Sequence, residues 1–193
     1  MSKKFNPKKL QKLNNPERLK DIPPYVIRDI VGLGSVDVIV DIGAGTGFFS
    51  VALLKEFSCQ RIYACDLSDD MINWMRENLS EKYPEIIPLK SDETKVPLDS
   101  EIADVVVMIN LHHELENPDS ILKESFRLLK SGGKILIVDW KKEEMDEGPP
   151  YEVRCEVDDV AKQLTLAGFE NVEIYNTLRK HFIVAGIKAP AIC

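Results

Sequence analysis

Asp41-Ile42-Gly43-Ala44-Gly45-Thr46-Gly47 sets three alternating glycines directly behind an acidic residue. Glycines at that spacing let a backbone turn sharply, approach a ligand closely and pack the following helix against a sheet. Upstream, residues 36–41 are a short β-branched run that reads as a central strand, and downstream Phe48–Phe57 carries apolar residues at helical spacing. The turn therefore joins a first strand to a first helix. Its spacing is G-x-G-x-G, not the G-x-G-x-x-G of dinucleotide sites, where a pyrophosphate rests on the helix N-terminus. An anionic Asp41 would repel a pyrophosphate and attract an ammonium or sulfonium group. Asp66 closes the next strand, Arg61–Asp66, and is placed to accept both hydroxyls of a ribose.

Away from this unit, strands and helices alternate, the pattern of a mainly parallel sheet with helices on both faces. Asn15-Pro16 and Pro23-Pro24 look like helix starts, and Gly32 stops a helix that reaches about Val31. Ser68 is expected to cap a helix whose first turn holds Asp69 and Asp70. Further strands are expected at Ile86–Lys90, Ala103–Ile109 and 134–140, with a helix from Asn117-Pro118 to about Lys130, stopped by Ser131-Gly132-Gly133. Residues 141–156, which include Gly148-Pro149-Pro150, read as an irregular excursion before a helix over 158–167. Strands at 172–175 and His181–Ile187 follow, and the few residues between them permit a hairpin but not a helical crossover, so the last strand should run antiparallel.

At 193 residues the chain suits a single domain over 1–193, with 1–22 as a basic lead-in and 141–157 as an insertion on the acceptor side. A hydrophobic fraction of 44% with 30% charged residues is that of a globular protein, and no apolar run approaches the roughly 20 residues that cross a bilayer. The net charge of −7 argues against a general nucleic-acid binder. Lys3, Lys4, Lys8, Lys9 and Lys12 cluster at the start and are read as a solvated tail. The N-terminus lacks the apolar core and cleavage site of a secretory signal, so a cytoplasmic location is expected. Cys59, Cys65, Cys155 and Cys193 sit singly, which indicates neither a disulfide framework nor a structural zinc site.

Asp41 to Gly47, Asp66, Ser91-Asp92, Val96-Pro97-Leu98 and the stretch from Leu128 to Lys134 together resemble class I S-adenosylmethionine-dependent methyltransferases, in the group that includes the ubiquinone and menaquinone methyltransferases. The resemblance implies a Rossmann-like α/β fold with a seven-stranded, mainly parallel sheet and a C-terminal antiparallel hairpin. It implies S-adenosylmethionine as cofactor and S-adenosylhomocysteine as product. Carried over by position, Asp41, Ile42, Gly43, Ala44, Gly45 and Gly47 surround the methionine part and Asp66 the ribose. Leu67 and Met71 pack on the adenine face, Asp92 with its neighbour Glu93 takes the adenine amino group, and Asn110 and Leu111 close the site. A narrower likeness, to small prokaryotic methyltransferases, rests on His113-Glu114-Leu115, Asp139 to Glu144 and Gly148-Pro149-Pro150. It brings no substrate with it.

Ligands of open α/β sheets bind outside the carboxyl ends of the strands, where residues 110–114, 139–141 and 151–154 are expected. His113 is a candidate base, with His112 and His181 as rivals, and Asp139 is a candidate to orient base or acceptor. These histidines equally suit helix capping or packing, and Trp140 suits either a flat acceptor or the core. Adjacent His112 and His113 diverge on a helix, so no metal site is expected. Arsenite methylation would need several convergent thiols, and these cysteines do not supply them. The acceptor is expected to be a small molecule, with a homodimer left open as a way to complete the site. A nicotinamide-dependent oxidoreductase and a non-catalytic S-adenosylmethionine-binding scaffold stay as alternatives.

Overall fold

The computed structural model of the chain describes residues 10–190, so Lys3, Lys4, Lys8, Lys9 and Cys193 lie outside the described residues. Three short helices, α1 (Leu10–Leu13), α2 (Arg18–Asp21) and α3 (Pro24–Val31), lead into β1 (Val38–Ile42). The chain continues through α4 (Phe48–Phe57), β2 (Arg61–Asp66), α5 (Asp69–Asn78), β3 (Ile86–Lys90) and β4 (Ala103–Ile109). Then come α6 (Pro118–Leu128), β5 (Leu129–Trp140), α7 (Val157–Leu166), β6 (Glu170–Tyr175) and β7 (His181–Ile187). The strands form one seven-stranded sheet in the order β3-β2-β1-β4-β5-β7-β6. β1 pairs in parallel with both β2 and β4, and β7 runs antiparallel to β5 and β6. The strand order therefore reverses at β1, which opens a crevice above the carboxyl ends of β1 and β4.

Central strands covered on both faces read as continuous apolar runs, and alternate residues divide between two cores. Ile39, Val105, Leu136 and Ile183 face Ile27, Phe49, Leu53, Ile72 and Met75 of α3, α4 and α5. Val40, Val106, Ile137 and Val184 face Ile121, Leu122, Leu128, Val160 and Leu164 of α6 and α7. Burying one such Leu or Ile contributes about 1.5–3 kcal/mol, so each helix is held chiefly by its apolar stripe.

Helix ends follow local chemistry in part. Gly32 adopts a left-handed conformation after α3 and its N–H reaches the Arg28 carbonyl. Asn117 Oδ1 accepts from the Ser120 N–H at the start of α6. Ser68 makes no side-chain cap on α5; its N–H instead donates to Asp66 Oδ1 at 2.8 Å. α6 stops at Leu128, two residues short of the sequence expectation, because buried Leu129 turns extended to pair with Ala103. Residues 130–133 then bulge out of the β4–β5 ladder, which resumes at Val105 and Lys134. β1 begins at Val38 and not at residue 36, since the N–H groups of Asp37 and Val38 donate to Asp104 Oδ2.

Gly47 joins the loop to α4 at φ +70, and a Cβ there would stand 2.6 Å from Leu79 Cδ1 and 3.1 Å from Met75 Sδ. Left-handed backbone costs a non-glycine residue about 1–2 kcal/mol, and overpacking adds about 1–3 kcal/mol. Gly47→Ala is expected to lose about 2–4 kcal/mol of unfolding free energy in urea titration.

Candidate functional site

The site is built from β1 outward. Asp41 lies on the α4 face of the sheet, 2% exposed, and its Oδ2 accepts a 2.6 Å hydrogen bond from the Ser50 hydroxyl. Burial pushes its pKa up to about 6, against the lowering effect of Ser50 and of the Arg18 charge, with Asp66 raising it further. The Ser50 hydroxyl and the Arg18 charge offset burial only in part, so the carboxylate is incompletely compensated.

Above it the glycine loop turns back over the strand ends. The N–H groups of Gly43 and Ala44 both donate to the Cys65 carbonyl at 2.9 Å, and the Gly45 N–H donates to Asp66 Oδ2 at 2.8 Å. Gly43, Gly45 and Gly47 all have positive φ. A Cβ on Gly43 would meet Leu111 at 2.7 Å, so Leu111 lies against the loop with no room for a side chain between them. Asp66 thus accepts one amide on each oxygen, and keeps lone pairs for further donors. Its pKa is raised because burial outweighs those two amide bonds.

The remaining cofactor-side residues line the same end of the sheet. Leu67 is exposed at 37%, whereas Met71 is buried at 3% in the core under α5 and shows little surface. The Ser91 N–H donates to the Asp66 carbonyl, which brings Asp92 beside β2; Asp92 is exposed and its N–H donates to Lys95. Glu93 Oε1 accepts from the Glu116 N–H at 3.4 Å, tying this loop to the segment after β4. Asn110 follows β4 at φ +56, and its Oδ1 is buried without a hydrogen-bond partner. The unmet acceptor follows β4 and the incompletely compensated carboxylate lies on the adjacent β1, and each is a buried group that wants a donor.

At the ends of β4 and β5 the acceptor-side candidates meet. Asp139 is 1% exposed and receives three donors: His113 Nδ1 at 2.7 Å, the His113 N–H at 3.0 Å and the Trp140 N–H at 2.7 Å. That fixes the imidazole with Nδ1–H toward Asp139 and leaves Nε2, 3.7 Å from Glu114 Oε1, as the basic nitrogen. Burial alone would lower the His113 pKa; the hydrogen bond and charge of Asp139, with Glu114, outweigh it and raise the value above 6.5. His112 points elsewhere, with Nε2 2.8 Å from Gln163 Oε1 on α7, and burial lowers its pKa. His181 stacks on Trp140 at 4.3 Å between ring centroids, both its nitrogens unpartnered, and burial pushes it down to about 4. Burial thus lowers both rivals to His113, whereas Asp139 raises His113 itself.

The excursion after β5 is clasped by one side chain. Arg154, 5% exposed, donates to the carbonyls of Lys141, Glu143, Glu147 and Pro149. Lys180 adds ion pairs to Asp21 of the lead-in and Glu147 of the excursion. The lead-in covers the glycine loop: Thr46 Oγ1 donates to Asn14 Oδ1 at 2.9 Å, and Leu13 Cδ1 comes within 3.3 Å of where a Gly45 Cβ would be. Three groups here escaped sequence reasoning. Ser50 was detectable as a polar residue inside the apolar run of α4; Asn14 and Arg18 reach the loop only through tertiary packing. Among the described residues, no cluster of three or more His, Cys, Asp or Glu side chains could hold a metal ion.

Strand order, reversed last strand and glycine loop together define a Rossmann-like class I methyltransferase fold. Residues 40–137, just over half of the chain, match the family described as Methyltransferase domain. A solved S-adenosylmethionine-dependent methyltransferase from Aquifex aeolicus superimposes with a TM-score of 0.89 at 32% identity, covering 96% of this chain and 100% of that one. The chain belongs to the methyltransferase domain family of S-adenosylmethionine-dependent methyltransferases. Among curated relatives, an arsenite methyltransferase of Halobacterium salinarum is 26% identical over 153 residues, 72% of this chain and 38% of that protein. A ubiquinone/menaquinone biosynthesis C-methyltransferase of Burkholderia mallei is 28% identical over 105 residues, 54% of this chain and 43% of that protein. The chain thus spans about two fifths of the length of these curated relatives.

The raised pKa of Asp41 carries a stability consequence. A carboxylate whose folded pKa lies above its unfolded 3.8 destabilises the fold by an amount that is complete above about pH 6 and vanishes below 3.8. Asp41→Asn is expected to raise unliganded stability at pH 7 by on the order of 2 kcal/mol, and to give no gain near pH 3.5. Thermal unfolding at the two pH values checks both the sign and the window.

Proposed function

We propose that the chain transfers a methyl group from S-adenosylmethionine by in-line displacement to a small-molecule acceptor, releasing S-adenosylhomocysteine. The observation that carries this reading is the buried, incompletely compensated Asp41 carboxylate under the glycine loop, an acceptor that suits the ammonium of a methionine moiety, with the orphaned Asn110 Oδ1 at the end of the adjacent strand as a second. Gly43 to Gly47 surround that moiety, Asp66 takes the ribose hydroxyls, and exposed Leu67 offers apolar surface to the adenine. Buried Met71 would support that surface from beneath. Asp92, with Glu93 beside it, is the candidate for the adenine amino group, and Leu111 closes the loop from above. Ile42 and Ala44 hold the loop in place through burial and through the bond to Cys65. The reading treats 1–193 as one domain, with 1–22 as a lead-in from which Leu13 and Asn14 reach the glycine loop, and 141–157 walling the acceptor side.

When bound, the cofactor supplies an electrophilic methyl carbon on a sulfonium. The chain's own work is then to hold an acceptor in line, exclude water and remove one proton, and alignment alone can be worth several kcal/mol of the barrier. In this reading His113 Nε2 takes the proton from the acceptor, and Asp139 orients the ring and stabilises the imidazolium. No helix among the described residues is long and apolar enough to cross a membrane. Cys59 and Cys65 are buried, with burial pushing the Cys59 thiol up to about 11 and Cys65 higher still, so neither offers a thiolate to arsenite.

Titration calorimetry with S-adenosylmethionine, S-adenosylhomocysteine and NAD tests the cofactor: binding of the first two is expected, and binding of NAD alone would sink the reading. Asp66→Ala and Gly45→Val are each expected to abolish cofactor binding, through lost ribose hydrogen bonds and blocked backbone approach. Labelled methyl transfer into a cell extract, followed by identification of the product, then names the acceptor; tight cofactor binding with no transfer to any component would favour a scaffold.

The base makes a separate prediction. Because the His113 pKa is raised, its ion pair with Asp139 is complete below pH 6.5 and is lost as pH rises through the folded value. Turnover should rise over that same interval as Nε2 becomes free. Asp139→Asn should move the imidazole titration, followed by NMR, to lower pH, and His113→Gln should cut turnover about 100-fold.

A further inference from the structure

A short turn links the glycine loop to a carboxylate beside the candidate base. Leu111 packs on the loop, where a Gly43 Cβ would stand 2.7 Å from its Cδ1, and the 3₁₀ turn His112–Glu114 follows at once. That turn brings Glu114 Oε1 to 3.7 Å from His113 Nε2, with the His113 and Glu114 side chains 7% and 20% exposed. On the opposite edge of the ring Nδ1 is held by Asp139, so the imidazole lies between two carboxylates. Burial lowers the His113 pKa, and Asp139 and Glu114 more than reverse that, against a smaller lowering by Arg154. Among the described residues Nε2 makes no hydrogen bond. Residues 141–157 add six carboxylates against Lys141, Lys142 and Arg154, although Glu147 and Glu156 are paired with Lys180 and Lys142. The balance of charge on the acceptor side is thus negative, and a field of that sign gathers cations and repels anions.

This sign decides which proton the base can take. Removing one from a hydroxyl would leave an oxyanion beside Glu114, like charges in a site largely shut off from water. Removing one from an ammonium leaves a neutral amine, and the positive charge passes to the imidazolium between the same two carboxylates. We propose that the acceptor is an amine that enters as its ammonium, is held beside Glu114 and gives its proton to His113 Nε2, so that the methyl group ends on nitrogen. This rests on the methyl-transfer reading given above, with His113 as base, and adds the chemical class of the acceptor. One N–H bond breaks and its proton moves to Nε2; the freed lone pair bonds to the methyl carbon as the carbon–sulfur bond breaks, its electron pair staying on sulfur. The products are a methylated ammonium and S-adenosylhomocysteine, and the proton on His113 returns to solvent. Glu114 also offsets the repulsion between an incoming cation and a sulfonium.

The test gives the full chain S-adenosylmethionine with a deuterated methyl group and a small-molecule cell extract. The labelled product is expected to be retained on a cation exchanger at pH 7 and to carry its label on nitrogen in fragment mass spectra. A label on oxygen, carbon or sulfur overturns the proposal and leaves the methyl-transfer reading standing; no labelled product refutes that reading and the proposal together. With the amine so identified, Glu114→Gln should raise its KM at least tenfold and leave S-adenosylhomocysteine affinity within twofold, and Glu114→Asp should recover part of the loss. An unchanged KM in Glu114→Gln overturns the role of Glu114. Should that variant not fold, the wild-type protein decides it: the analogue with a hydroxyl in place of the amine should compete at least tenfold more weakly than the amine, and equal competition overturns the proposal.

Discussion

A carboxylate in the middle of a sheet is the constraint around which this protein is arranged. Asp41 is the penultimate residue of the central strand, with β2 and β4 on either side and α4 above, and among the described residues the Ser50 hydroxyl serves it directly. Burying that group opposes folding, and only something outside the apolar core can offset it. The surrounding features answer that demand. Glycines let the main chain pass over the strand end, α4 starts without an acid in its first turn, and the one basic group nearby comes from a helix that precedes the sheet. A site of this kind is less stable empty than an apolar substitute would be, and is specific for that reason.

The topology turns this local strain into a place for chemistry. Because β2 and β4 flank β1 on opposite sides, their following segments diverge, and the glycine loop, Asp66 and Asn110 all lie at the carboxyl ends of these neighbouring strands. The reversed β7 then brings His181 against Trp140 at the same end, so the acceptor side is walled by a strand that enters from the far edge. Of the three histidines gathered there, desolvation lowers the pKa of two, and the carboxylate of Asp139, with Glu114, raises that of the third. Environment and not residue type distinguishes their roles.

Much of the fold was legible in the chain because its signals are local. α4, β2, β3, β4 and β7 lie at the bounds that periodicity indicates, and the short β6–β7 connection alone requires an antiparallel hairpin. Errors arose where a distant partner decides. The apolar period of α6 runs on through Leu129 and Lys130, yet Leu129 belongs to the sheet because Ala103 is there to pair with it. Ser68 is a good cap by residue type, but its hydroxyl makes no cap hydrogen bond, and its N–H donates to Asp66 Oδ1. The Asp41 and His113–Asp139 placements were legible because strand ends converge by rule in such sheets. Arg18 was not, and although 151–154 was expected on the acceptor side the partners of Arg154 were not either, since nothing in their neighbours along the chain announces which carbonyls they will meet.

Arg154 has a bearing on how such a protein can change. Its guanidinium grips the carbonyls of four residues in the excursion and none of their side chains. Main-chain oxygens are common to all residues, so the path of this loop is specified by one arginine while the identities of the side chains it displays stay free. Substitutions along 142–148 can then alter what the wall presents without altering where the wall stands, apart from Gly148, whose missing Cβ makes room for the Trp140 ring. A lineage built on this frame can retune the surface it offers to an acceptor one residue at a time, with the cofactor half untouched.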